Sequence, residues 1–137
     1  REAGMSRMLP TLTPATEFFW RAGASGRLLV LRCDDCATYL HPPAPVCPRC
    51  LSRRLAPHPV SGRGRVYSCT VNFQPWRPEL ETPYVIAIVE LEEQAGLRLL
   101  TNVVGCPVEE VRIGMEVEVT FAAHGDVYLP LFRPVAR

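Results

Sequence analysis

Four of the chain's six cysteines fall within the eighteen residues CDDCATYLHPPAPVCPRC, from Cys33 to Cys50, as two C-x-x-C pairs ten residues apart. No other feature constrains the fold as tightly. A tetrahedral metal site needs four thiolates, each about 2.3 Å from a zinc ion. One C-x-x-C turn brings two sulfurs together with backbone amides directed at them, and a second such turn completes the tetrahedron. With RLLVLR before and SRRLAPH after as flanking strands, the layout is that of a zinc ribbon.

Two rivals are weaker. The opening REAGMSRMLP is too short and polar for a secretory signal, so a reducing, cytoplasmic setting is expected, where stable disulfides are disfavoured. A thioredoxin-like pair would open a helix inside a βαβ unit, and neither pair has that context. Four thiolates also suit iron, which leaves zinc as the expected metal and iron as the alternative. A closed four-sulfur site has no open position for water. Cys33, Cys36, Cys47 and Cys50 are therefore expected to hold a structural metal rather than a catalytic one. His41 and His58 flank the cluster but are not needed as ligands.

The rest reads as a mainly β chain. TLTPATEFFWRAGASG predicts a short helix, capped by Thr13, with Pro14 in its first turn and Gly23 or Gly26 at its end. The consecutive Phe18, Phe19 and Trp20 cannot all share one face of a helix, so at least one is expected to point away from what the others cover. Five short segments follow, RGRVYSCTVNF, YVIAIVEL, LRLLTNVV, MEVEVTFA and VYLPLFRPV. They are rich in β-branched residues or alternate in polarity. The fourth places Val117, Val119 and Phe121 on one side and Glu116, Glu118 and Thr120 on the other. CPVEEVRIGM leaves room for one turn of helix between the third and fourth, as in a five-stranded OB-fold barrel. The expected organisation is a tail and aromatic helix over residues 1–26, a rubredoxin-like zinc ribbon over 27–60 and an OB-fold over 61–137. QPWRPELETP, with three prolines, Trp76 and Arg77, predicts a long loop suited to binding. Cys69 and Cys106 read as core thiols, and His124 as a residue of the turn AAHGDV.

Composition sets limits on function. No run approaches the eighteen or more apolar residues of a membrane helix, and the net charge of +1 gives no general attraction to nucleic acid or membrane. All fifteen basic residues are arginine, in keeping with biased codon usage, so no lysine is present to form a Schiff base. Arg49, Arg53, Arg54, Arg63 and Arg65 form an acid-free stretch that reads either as a solvated face or as a site for phosphates or acidic partner residues. No nucleophile with a base and orienter stands at motif spacing, and SGRGR lacks the lysine and helix of a phosphate loop.

Taken in order, FFWRAGASGRLLVLRC, the cysteine ribbon, SGRGRVYSCTV, PYVIAIVEL, LLTNVVG, EVRIGMEVEV and LPLFRP resemble the acyl-CoA-associated zinc-ribbon/OB-fold proteins over nearly the whole chain. One departure is Ala37, where that family often has glycine after the second cysteine. The resemblance implies a non-catalytic accessory subunit or domain. It would bind and stabilise a thiolase-like acyl-CoA enzyme, a lipid-transfer-type steroid side-chain aldolase among them, and help form the path for the CoA thioester. The partner would depend on it for activity, and a hydratase domain in the same polypeptide is a further expected arrangement; a start at Arg1 suits a piece of such a fusion. Phe18, Phe19, Trp20, Arg53, Arg54, Trp76 and Arg77 are the expected contacts to partner or CoA, whose phosphates and adenine suit arginines and aromatics. Two alternatives are a single-stranded nucleic-acid-binding module and a free-standing enzyme acting on CoA thioesters through Cys69 or a histidine. The acidic ELEEQ and VEEV stretches count against the first.

Overall fold

The ribbon and the barrel are built from separate sheets joined by a two-residue link. In the computed structural model, which describes residues 9–75 and 81–135, strands β1 (Leu28–Cys33), β2 (Tyr39–Leu40) and β3 (Leu55–Val60) form a small antiparallel sheet in the order β2-β1-β3. Strands β4 (Arg63–Asn72), β5 (Tyr84–Leu91), β6 (Arg98–Val103), β7 (Glu116–His124) and β8 (Val127–Pro134) close a barrel in the order β4-β5-β6-β8-β7. A 3₁₀ turn at Val108–Glu110 lies between β6 and β7. The expectation of a mainly β chain with an N-terminal helix, a ribbon and a five-stranded OB-type barrel therefore holds. No helix among the described residues is long and apolar enough to cross a membrane.

Alternation sets the barrel interior. Every second residue of β5 (Val85, Ala87, Val89, Leu91) is buried, as are Leu99, Thr101 and Val103 of β6, which is the period of a strand with one wet face. Val66, Val117 and Phe132 complete the centre. Thr101, the buried polar residue of this interior, donates its hydroxyl to Pro130 O at 2.9 Å, so its burial leaves no polar group stranded. β4 is long enough to pair with β5 along its length and with β7 at Arg63–Arg65. An extra residue at Tyr67, between the Val66–Val89 and Ser68–Ile88 pairs, is a bulge that increases the bend closure needs.

The helix differs from expectation in extent. Helix α1 spans only Glu17–Arg21 and runs on as a 3₁₀ turn, Ala22–Ser25. Thr16, not Thr13, holds the N-cap position, with no side-chain cap. The hydroxyls of Thr13 and Thr16 bond each other at 2.9 Å, and it is the Thr13 carbonyl that accepts from Glu17 N at 2.8 Å. Gly26, left-handed at φ 73°, ends the element. Gly23 serves another purpose: a Cβ there would collide with Tyr128 and stand 2.6 Å from Phe121 Cδ1, so its bareness lets the helix settle on β7 and β8. Phe19, 5 % exposed, enters the core, meets Trp20 edge-on at 4.8 Å and lies 4.8 Å from the His41 ring. Phe18 and Trp20 are half-buried against the same core.

Two smaller expectations also shift. Cys69 and Cys106 are half-buried thiols packed against the edge of the core rather than fully enclosed in it. His124 ends β7, opposite Val127, and the turn proper is Gly125 and Asp126.

Gly64 is where β4 crosses closest to β5. A Cβ there would strike the Glu90 carbonyl and stand 2.9 Å from Val89 Cγ1, and neither a paired backbone nor a core valine can yield cheaply. Gly64→Ala is expected to destabilise the chain by about 2 kcal/mol or more, measured by urea unfolding; an unchanged midpoint would show that the barrel gives way there.

Candidate metal centre and the surfaces around it

The two C-x-x-C segments fold into near-identical turns. In the first, Ala37 N donates to Cys33 O and Cys33 N to Thr38 O, both at 2.8 Å; in the second, Leu51 N donates to Cys47 O at 2.9 Å and Cys47 N to Ser52 O at 2.8 Å. The residue after the second cysteine is left-handed in each, Ala37 at φ 65° and Leu51 at φ 66°. This accounts for the expected preference for glycine at position 37, since only glycine takes that conformation freely.

The turns bring all four sulfurs within 4.8 Å of one another. Cys33 Sγ lies 3.6 Å from Cys50 Sγ, and Cys36 Sγ 3.6 Å from Cys47 Sγ. A tetrahedron with arms of about 2.3 Å has edges of about 3.8 Å, so the cluster has the dimensions to hold one such ion. Arg49 N donates to Cys47 Sγ at 3.4 Å, the amide-to-sulfur contact expected of such turns. Hydrogen bonds from the Thr38 side chain and backbone pull the Cys36 thiol down to about 6. The Ser52 amide favours the Cys50 thiolate, but burial and the three neighbouring sulfurs together push that thiol up to about 12. Four thiolates this close repel one another, and a cation at their centre removes the repulsion. The donor set thus fits a metal ion.

Further contacts tie the turns to each other and to the barrel. Asp35 of the first turn accepts the Ser52 hydroxyl of the second and pairs with Arg54 Nε at 3.1 Å. The Arg54 side chain is 72 % exposed, so that ion pair orients more than it stabilises. Between ribbon and barrel, Gln94 acts as a short piece of strand: its Oε1 accepts from Tyr39 N at 2.8 Å and its Nε2 donates to Tyr39 O at 2.9 Å. Glu93 Oε2 accepts from Ser61 N at 2.7 Å, in the link between β3 and β4. The β5–β6 hairpin therefore holds the ribbon by two side chains.

The remaining expected site residues divide. Arg54 is engaged with Asp35, whereas Arg53 and Arg49 are exposed and have no carboxylate within 4.0 Å among the described residues. Arg63 and Arg65 face Glu118 at 3.9 Å and Glu116 at 2.8 Å, so the acid-free stretch does not form one free basic surface. Phe19 lies inside the fold, leaving Phe18 and Trp20 with part of their surface outside. Trp76 and Arg77 lie outside the described residues. His41, half-buried on Phe19, and His58, 3.8 Å from Asp34, are not drawn into the sulfur cluster. Burial pulls His41 below its usual value, and burial followed by Glu110 pushes the Cys106 thiol up. Sequence reasoning missed Gln94, whose partner is 55 residues away, and Leu51. The latter could have been found by aligning the two C-x-x-C turns, which puts it opposite Ala37.

Comparison with known proteins finds two matching family models. Residues 20–56 match the rubredoxin-like zinc ribbon domain of ChsH2 and residues 57–122 its C-terminal OB-fold domain. The chain is 40 % identical over 129 residues to a probable enoyl-CoA hydratase alpha subunit of Thermomonospora curvata. It is 35 % identical over 127 residues to the 3-oxo-4,17-pregnadiene-20-carboxyl-CoA hydratase alpha subunit of Mycobacterium tuberculosis. Each alignment takes in 93 % of this chain but only 40 % of the relative. A DUF35 domain-containing scaffold protein of Methanocaldococcus jannaschii is 41 % identical over 96 residues, 69 % of this chain and 67 % of that one. Among solved structures, a chain of an Ltp2-ChsH2(DUF35) aldolase superposes with a TM-score of 0.84 at 39 % identity, covering 93 % of this chain and 100 % of that one.

Cys47→Ser is expected to purify without stoichiometric metal and to melt about 10 °C lower or more, because metal binding supplies folding energy to such a ribbon. Elemental analysis and circular dichroism check both, and retained metal with an unchanged Tm would contradict a structural centre. His41 gives a pH dependence. Its folded pKa lies below the unfolded value of about 6.5, so its contribution is complete above that pH and is lost as pH falls through the folded value. At saturating metal, Tm should fall as pH is lowered below about 6.5 in the parent and fall less in His41→Phe; parallel curves would remove His41 as the cause.

Proposed function

Because the chain belongs to the DUF35 family, in its ChsH2-type form of zinc ribbon and OB-fold, we propose that it is a non-catalytic accessory subunit or domain of a thiolase-fold acyl-CoA enzyme. The metal is zinc, held by Cys33, Cys36, Cys47 and Cys50 to shape the ribbon, with no part in bond making. The partner is an aldolase of the Ltp2 type acting on a steroid side-chain CoA thioester in the cytoplasm. This chain stabilises it and helps form the path for the thioester. A hydratase domain carried in the same polypeptide would extend the same arrangement, since the hydratase alpha subunits matched are longer than this chain. The single observation that carries the reading is the match, over 93 % of this chain and 100 % of the other, to a chain of an assembly named Ltp2-ChsH2(DUF35) aldolase.

The geometry agrees with a supporting role. Four sulfurs saturate the metal centre, leaving no position for water or substrate. The nucleic-acid alternative draws no support from the aromatic within β4, although Phe73 just past that strand is exposed. Tyr67, an exposed aromatic of β4, is covered by the Arg98 guanidinium at 3.7 Å, and Arg98 is paired with Glu90 at 3.1 Å.

Co-expression with the Ltp2-type protein of the same genome tests the proposal. The expected result is a stable complex with one zinc per copy of this chain and retro-aldol activity that the Ltp2-type protein lacks alone. An Ltp2-type protein fully active by itself, eluting apart from this chain, would overturn it.

A further inference from the structure

The second C-x-x-C turn carries residues that its own fold does not use. Leu51 is held at φ 66°, a conformation that costs a side chain with a Cβ on the order of 1–2 kcal/mol, and its side chain is 73 % exposed. Only its backbone serves the metal centre, through the bond to Cys47 O. Ala37, at the matching position of the first turn, carries just a methyl group. Beside Leu51, Arg49 and Arg53 are exposed without a carboxylate partner among the described residues, a lack they share with Arg27, Arg32 and Arg112, while Arg54, Arg63, Arg65, Arg98 and Arg133 each have one. A strained leucine facing water, with an unneutralised arginine two residues away on either side in sequence, is a local conflict of the sort found at contact sites.

We infer that this turn, Pro48–Arg53, is a docking point on the partner enzyme. Leu51 enters an apolar recess of that protein, and Arg49 and Arg53 meet carboxylates on its rim. The inference rests on the accessory-subunit reading and deepens it. Charge complementarity and the leucine together select the occupant. A phosphate group would use the arginines but not the leucine, and a base needs a ring to stack on. An apolar recess with an acidic rim uses all three, in the arrangement of a desolvated centre inside a polar border. The metal's part is to keep the turn rigid, so that Leu51 is presented rather than folded back.

The strain supplies a clean test, because Leu51→Gly removes the side chain and relieves the backbone together. Titration calorimetry of the zinc-loaded chain against the Ltp2-type protein would compare the parent, Leu51→Gly, Ala37→Gly as the relief-only control, and the Arg49→Glu/Arg53→Glu pair. Expected are equal binding for parent and Ala37→Gly and binding weaker by about tenfold or more for Leu51→Gly, with full zinc content and a Tm no lower than the parent's. The double reversal should also bind more weakly, and parent affinity should fall with added salt. If Leu51→Gly binds as tightly as the parent, the docking point is overturned and the accessory reading stands. A lower Tm in Leu51→Gly would overturn the strain argument on which the site rests. No binding by the parent would remove both, and single-stranded oligonucleotide binding lost in the double reversal would assign the turn to nucleic acid instead.

Discussion

Four sulfurs held within 4.8 Å of one another are tolerable as thiolates only around a cation, and much of the ribbon depends on that cation. The segment from Leu28 to Val60 buries few side chains: Leu28, Val30, Leu40 and the two cysteines Cys33 and Cys47. A unit this small cannot be stabilised by its own apolar interior. A metal held there would fix the turns, the turns would fix the ends of β1 and β3, and the pairing of those strands would follow. Two attachments then carry that order outward. Phe19 bridges helix, ribbon and core, and Gln94 replaces a missing strand beside Tyr39.

The barrel has an apolar interior of its own. That interior is filled by alternate residues of β5 and β6 together with Val66, Val117 and Phe132, and one side of the barrel's exterior is a ladder of ion pairs, Arg63 and Arg133 with Glu118 and Arg65 with Glu116. Surface pairs of this kind add little stability, but they neutralise that face and leave it indifferent to charged ligands. Exposed Leu51, with Arg49 and Arg53 beside it in sequence, belongs instead to the second turn of the ribbon. The architecture therefore sets a barrel with its own apolar interior beside a ribbon shaped by its cysteine turns, an arrangement compatible with the proposed accessory role.

How much of this could be read from residues alone follows from the range over which each signal acts. The cysteine spacing encodes its own chemistry, and alternation in MEVEVTF encodes a half-buried strand, so ribbon and barrel were both legible. The start of α1 was not, because Thr13 and Thr16 offer equivalent hydroxyls and the choice between them depends on where the helix lands on Phe121 and Tyr128. The half-burial of Cys69 depends on a bulge two residues earlier, created by pairing with β5. Gln94 has no local pattern to mark it, and its role exists only once Tyr39 is brought beside it. Leu51 was obscured for another reason: a leucine after a cysteine reads as ordinary until its backbone is known to be left-handed.

In the proposed role, the metal acts by giving the ribbon a shape that a partner enzyme recognises. The most direct test is to titrate the Ltp2-type protein with the zinc-loaded chain and with the same chain after chelation, using a preparation in which the barrel's circular dichroism is unchanged. The account predicts binding by the loaded chain, loss of binding on chelation and recovery when zinc is restored. Equal affinity of loaded and stripped chains would contradict it, by placing recognition on surfaces that the metal does not shape.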